Sequence, residues 1–219
     1  MTARRKPTDE QLKAKVLEAA LGYAAADGFT DRTMTRAGTD VGVGCEMMLH
    51  LFPEGPASLV AFFSEKSDAE MERLLAKEKL PDMKIRDRIA AAVLTRLEIL
   101  KPHKQAARRA AAFLMLPANA ALGATLLYRT VDAMWRAVGD TSTDFNFYTK
   151  RAILAGVYST TTMRWFNDSG DDGAATREFL SARIGNVMQF EKFKAEMRER
   201  TKDLPSIADI VKSFNRRQS

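Results

Sequence analysis

The sequence predicts an all-α protein, and three observations carry that expectation. Apolar residues recur every three or four positions along most of the chain, the helical period. Period-two alternation of useful length is absent. Glycines and prolines punctuate the periodic segments. The expected helices, in order, are Glu10–Ala26, Thr33–Thr39, Gly42–Leu51, Pro56–Lys79, Lys84–Leu100, His103–Leu116, Ala118–Val138, Phe145–Asn167, Ala174–Arg200 and Ser206–Asn215.

Each boundary has a chemical reason. Gly28-Phe29 closes the first helix and Gly42-Val43 makes the next turn. Pro56 suits a first helical position, where its missing N–H costs nothing. Pro81 and Pro102 separate the middle helices, and Pro117 with Asn119 divides "AAAFLMLPANAALGATLLY". That stretch, Ala110 to Tyr128, has no charge and nearly the length of a membrane span. Alanine adds little transfer energy, so two buried helices meeting at Pro117 are expected instead. Gly139 stops the helix before it, and Thr143 or Asp144 caps the one that follows. "SGDDGAA", Ser169 to Ala175, is the clearest loop, and "KDLPS" sets apart a tail. The expected organisation is a basic N-terminus (1–8), a small helical unit (9–80), a larger bundle (81–203) and a tail (204–219).

Composition sets limits. The chain has 219 residues, 46% hydrophobic and 28% charged, ordinary for a soluble protein with a real core. One cysteine, Cys45, excludes an internal disulfide and suits a reducing compartment. "MTARRKPTDE" has no apolar core of a signal peptide, and a cytoplasmic location is expected. A formal charge of +6 permits contact with nucleic acid or anionic membrane without choosing between them.

Residues 15–65, from "KVLEAALGYAAADGF" through "GVGCEMMLHLFPEG" to "FFSE", resemble the helix-turn-helix unit of TetR-type repressors. Gly28-Phe29, Gly42-Val43 and Phe52 stand where that family has its first-helix end, its turn and its Phe-containing corner. The resemblance implies a DNA-reading helix at 42–51, leading into a ligand-binding bundle. The chemistry of the segment argues otherwise. Base edges and phosphates need cations, hydroxyls or amides. Here Met47, Met48, Leu49 and Leu51 dominate, Glu46 and His50 are the ionisable contacts apart from the Cys45 thiol, and Glu54 follows the corner. Arg4, Arg5 and Lys6 admit DNA, membrane or plain solvation. Nucleic acid is not the expected partner, and a ligand-responsive regulator of this fold stays the alternative.

"GDTSTDFNFYTKR", Gly139 to Arg151, carries the most specific signal. Its first half is capping chemistry. In its second half, aromatics and an arginine share helical faces, the residue types that dominate interfaces. One reading packs Phe147 or Tyr148 inward; the other makes Phe147, Tyr148 and Arg151 a partner-binding patch, joined by Asp132, Met134 and Trp135 of the preceding helix. Residues 130–168, "TVDAMWRAVGDTSTDFNFYTKRAILAGVYSTTTMRWFND", are similar to the signature region of the ubiquinone-biosynthesis accessory proteins, the ninth member of the Coq series. That resemblance implies a TetR-like fold without DNA binding and a homodimer. It further implies an isoprenoid or other lipid in the bundle and docking of the ubiquinone-pathway hydroxylase. By position it puts the partner patch on Asp132, Met134, Asp144, Phe147, Tyr148 and Arg151. Where mitochondrial relatives commonly have Trp, this chain has Phe147, which keeps the apolar contact and loses an N–H.

A lipid needs an apolar cavity with few polar groups. The candidate lining is Phe113, Met115, Leu122, Leu126, Tyr158, Thr161 and Trp165, with Leu127, Met163 and Phe166 beside them and Thr160 and Thr162 as further hydroxyls; ordinary core packing is the competing reading of each. In the tail, Ile207, Ile210, Val211 and Phe214 form one apolar stripe with Lys212 beside it, the pattern of a helix lying in an anionic membrane surface. Docking on the protein itself is the competing reading, and the family resemblance favours membrane. No cofactor and no metal is expected. His50, His103 and Cys45 lack partners at metal-ligand or catalytic spacing, and no phosphate loop or nucleophile elbow occurs. The chain is expected not to be an enzyme. It is expected to act at an inner-membrane surface, with the hydroxylation carried out by another chain.

Overall fold

A computed structural model describes residues 7–141, 145–170 and 172–201; side chains of 145, 146 and 190–201 are not described. Among the described residues there is no β-strand. The all-α expectation holds. The helices are α1 (Asp9–Asp27), α2 (Asp31–Asp40), α3 (Cys45–Leu51), α4 (Pro56–Leu75), α5 (Ile85–Leu100), α6 (Lys104–Leu114), α7 (Ala120–Ala137), α8 (Phe145–Phe166) and α9 (Ala174–Thr201). Short 3-10 turns at the three expected proline breaks join α4 to α5, α5 to α6 and α6 to α7.

α1 begins with a reciprocal cap between Thr8 and Gln11 and buries Val16, Leu17, Ala20, Leu21 and Ala24. α2 packs across it, held at its start by Thr30 and by a bond from the Thr33 hydroxyl to the Gly28 carbonyl. α3 starts at Cys45, three residues later than expected, because the Gly42-Val43-Gly44 turn is outside the helix. Met48, Leu51 and Phe52 seat α3 on this unit. α4 packs along α5 and α7, and α1 also packs on α6. The described residues up to Leu180 therefore cluster as one unit, with the helix-turn-helix layer resting on the bundle.

The described residues from Ser181 onward cluster as a second unit. Its described part is the continuation of α9 as far as Thr201. The tail positions Ile207, Ile210, Val211, Lys212 and Phe214 lie outside the described residues, as do Thr143 and Asp144.

No single helix among the described residues is long and apolar enough to cross a membrane. The chain bends by 91° where α6 gives way to the Pro117 turn. At that corner a Cβ on Gly123 would stand 3.0 Å from the Leu114 carbonyl oxygen, so a glycine is what lets α6 and α7 meet.

Candidate functional site: an apolar cavity and a braced aromatic patch

Between α4, α5, α6, α7 and α8 lies a cavity of about 490 Å³. Small residues make the room: Ala107, Ala110 and Ala111 of α6 face Ala120, Gly123 and Ala124 at the start of α7. Larger apolar side chains, among them Leu114, Leu126, Leu127 and Phe166, complete the wall. Met115 and Met163 also line the cavity and are 75% and 51% exposed, marking its mouth.

The residues expected as lining divide between this cavity and other places. Met115, Leu126 and Tyr158 line the cavity, as do Leu127, Thr162, Met163 and Phe166. Phe113, Leu122, Thr161 and Trp165 do not line it, and helical rotation explains each. The lining residues of α6, α7 and α8 each form one stripe, and these four sit about a quarter turn or more from its centre. Thr161 is fully buried elsewhere. Trp165 lines a separate cleft of about 250 Å³ beside Lys101, Lys104 and the Asp168–Gly173 loop, with the Lys104 ammonium 5.1 Å from its ring. In that loop, hydrogen bonds from the Thr176 hydroxyl and then the Gly170 N–H hold the Asp168 carboxyl below the usual carboxylate range.

One polar cluster escaped sequence reasoning. Arg96, 4% exposed, is the one charged residue among the described residues lining the cavity. Its Nε donates to Asp68 Oδ1 at 2.7 Å, and its Nη2 donates to Ser64 Oγ at 3.0 Å and Thr130 Oγ1 at 3.2 Å. Thr130 in turn donates to Asp68 Oδ2 at 3.0 Å. Burial pushes the Asp68 carboxyl above its ordinary range, against the pull of Arg96. Burial also opposes the charge on Arg96, but Tyr158 and Asp68 outweigh it and hold the guanidinium above its ordinary range. An arginine in the otherwise apolar face of "IAAAVLTRLEIL" was the available signal.

The second site is the junction of α7 and α8. Gly139, at φ +87°, ends α7 in a conformation that a side chain would resist. Tyr148 is 66% exposed; Phe147 is half-buried beside it, edge-on at 5.1 Å between ring centroids. The Arg151 guanidinium lies 3.4 Å from the Phe147 ring centroid. It donates to Asp132 at 2.7 Å, to Asp140 at 3.3 Å and to the Phe147 carbonyl at 3.2 Å. Lys150 pairs with Asp140 at 2.8 Å and stacks on Trp135, whose indole N–H donates to the Lys150 carbonyl.

Two positions of the expected patch need correcting as surface contacts. Met134 is fully buried: it sits on the core face of α7 with Val131 and Ala133. Arg151 is 4% exposed and braces the aromatic pair from beneath. Asp132 is half-buried and shared between Arg151 and Arg136. What reaches solvent is Tyr148 with part of Phe147. Asp144 lies outside the described residues.

The α3 surface presents Met47 and Leu49, 40% and 63% exposed, with Cys45 and Glu46. His50 is engaged by Asp9 at 2.9 Å. Among the described residues no group of three or more His, Cys, Asp or Glu side chains is placed to hold a metal ion.

Comparison with known proteins brings these features together. Residues 120–191, which include α8 and one wall of the cavity, match the COQ9 family model. The chain is 36% identical over 192 residues to the bovine "Ubiquinone biosynthesis protein COQ9, mitochondrial" and 33% identical over 192 residues to the human protein of that name. Each match takes in 83% of this chain and 59% of the relative, so the chain spans well under two thirds of their length. A TetR transcriptional regulator from Nitrosomonas europaea superposes with a TM-score of 0.66 at 15% identity, over 81% of this chain and 98% of that one. At that identity the likeness shows the fold alone. On a TetR-like, all-helical fold, the chain matches the COQ9 family model over residues 120–191 and is similar to COQ9 proteins over most of its own length.

Proposed function

We propose that this chain is a lipid-binding accessory protein of ubiquinone biosynthesis, which takes a polyprenylated intermediate into its cavity and presents it to a hydroxylase. The relatives' names supply the pathway. The cavity is the observation that carries the lipid: about 490 Å³ falls among ligand-sized pockets, and its walls are alanine, leucine, methionine and phenylalanine. Prenyl burial is worth about 0.8 kcal/mol per CH₂, so extraction from a bilayer is feasible only where protein replaces most of the lost lipid contact. A chain too long for the cavity leaves by the mouth at Met115 and Met163.

The hydroxylase docks on Tyr148 and Phe147, with Arg151 and Asp132 fixing their orientation. The stripe Ile207, Ile210, Val211 and Phe214 with Lys212 rests on the membrane, and two copies of the chain associate. The relatives are named mitochondrial; the corresponding place for this chain is the aqueous face of an inner membrane. No observation on α3 favours the regulator reading over this one.

Organic extraction of the purified protein, followed by mass spectrometry, tests the proposal. Prenylated lipid is expected from the wild type and several-fold less from Ala124→Trp, which fills the mouth from an exposed position. No prenylated lipid in the wild type, or equal amounts from both proteins, contradicts it.

A further inference from the structure

Residues 99–131 have a one-sided charge. Their charged residues are Lys101, Lys104, Arg108, Arg109 and Arg129, with no Asp or Glu among them. Inside that run, residues 110–128 carry no charge at all, and they build the corner where α6 meets α7. The outward face of a helix in a soluble protein is ordinarily charged. Here the first turns of α7 expose Ala121, Ala124, Thr125 and Tyr128 instead. At the corner itself, Met115 and Leu116 are 75% and 52% exposed. Met115 also stands at the cavity's mouth, so the apolar surface and the opening coincide. A contiguous exposed patch of this kind is a contact surface.

We propose that the α6–α7 corner enters the outer layer of an anionic membrane, with Leu116 foremost. The inference rests on the membrane-surface reading above and adds a contact separate from the tail, made by the bundle itself. Charge and depth select lipid as the occupant. Arg108 and Arg109 donate to the Phe166 carbonyl, the Asn167 amide oxygen and the Ala26 carbonyl, none of them a carboxylate that would cancel their charge. Leu116 lies about 10 Å beyond Arg109 at the helical rise, close to the depth that interfacial apolar groups reach below the head groups. With Leu116 at that depth, the two guanidinium groups stand level with lipid phosphates. On the other arm Tyr128 and Arg129 pair an aromatic with a cation, the residue types of a membrane–water boundary. Alanine adds little transfer energy, so entry is shallow and reversible. A guest of the cavity then passes to and from the bilayer at Met115 without crossing water.

Vesicles of phosphatidylcholine and phosphatidylglycerol, free of prenylated lipid, test the corner against the full chain. An environment-sensitive fluorophore is attached either to the native Cys45 or, in Cys45→Ser/Leu116→Cys, at position 116. Cys45 is exposed on α3, which meets the start of α1 through His50 and Asp9, whereas Arg109 meets the other end of α1, about 25 Å away. With vesicles, the label at 116 is expected to shift to shorter wavelength and to be quenched by lipids with doxyl-labelled acyl chains, while the label at 45 stays in water. Met115→Glu/Leu116→Glu, checked for an unchanged melting profile, is expected to bind the vesicles about tenfold more weakly or worse. A label at 116 that stays in water on vesicle-bound protein overturns the corner and leaves the tail and the lipid-filled cavity standing. Unweakened binding of Met115→Glu/Leu116→Glu does the same, and so does equal binding of the wild type to pure phosphatidylcholine. A shift at 116 without vesicles, growing with protein concentration, overturns it in favour of a second copy of the chain. No vesicle binding by the wild type overturns the membrane reading as well.

Discussion

Two arginines of this protein are equally hidden, each 4% exposed, yet they sit in opposite kinds of site. Arg151 lies between two carboxylates beneath an aromatic pair that faces solvent. Both carboxylates have a second cation: Asp132 pairs with Arg136 and Asp140 with Lys150. Arg96 has one carboxylate, two hydroxyls and a cavity wall. The redundant network makes a stiff base, which suits a surface that must meet another protein without rearranging. The sparse one balances its charge and no more, beside empty volume, which suits a small guest. Burial alone does not tell the two apart; the count of partners around each guanidinium does.

That difference can be broken first at Arg96. Arg96→Met leaves Asp68 buried with only Thr130 as partner, and a loss of about 3–5 kcal/mol in chemical denaturation is expected. The double variant Arg96→Met/Asp68→Leu is expected to recover most of that loss, since a well-packed apolar pair is nearly neutral against a buried ion pair. Arg151→Met is expected to cost less, about 1–3 kcal/mol, because Asp132 and Asp140 each keep a cation. A larger loss at Arg151 than at Arg96 would reverse the comparison. The smallest effect on stability is expected at Tyr148→Ala, within about 0.5 kcal/mol of wild type, as for other exposed positions. The same variant is expected to weaken capture of the pathway hydroxylase by tenfold or more, in keeping with a central aromatic of an interface. Unchanged capture would remove the patch from the account.

The fold was largely legible in the sequence because its punctuation is chemical. Gly28, Pro56, Pro81, Pro102, Pro117 and Gly139 all fall at helix ends or turns, where backbone geometry requires them. The sites were less legible. Periodicity shows that α7 is amphipathic but not which side its neighbours cover, so Met134 was grouped with Asp132 although the two lie on different flanks. Large apolar residues were the natural guess for a cavity wall. Yet Phe113, Leu122 and Trp165 fill space elsewhere, and alanines and a glycine leave the room. Volume is a property of facing surfaces, and one strand of sequence does not record what faces it. The Arg96–Asp68–Thr130 cluster joins three helices far apart in the chain, which no spacing rule connects. The exposure of Tyr148 was legible because two adjacent aromatics at a helix start cannot both face one core.

Photoaffinity labelling with a diazirine-bearing farnesol, followed by peptide mapping, tests the cavity as the lipid site most directly. Label is expected in the segments that wall the cavity, residues 60–64, 96–100, 107–130 and 158–166, with Ala124→Trp abolishing it. Label confined to other segments, or undiminished in that variant, would contradict it.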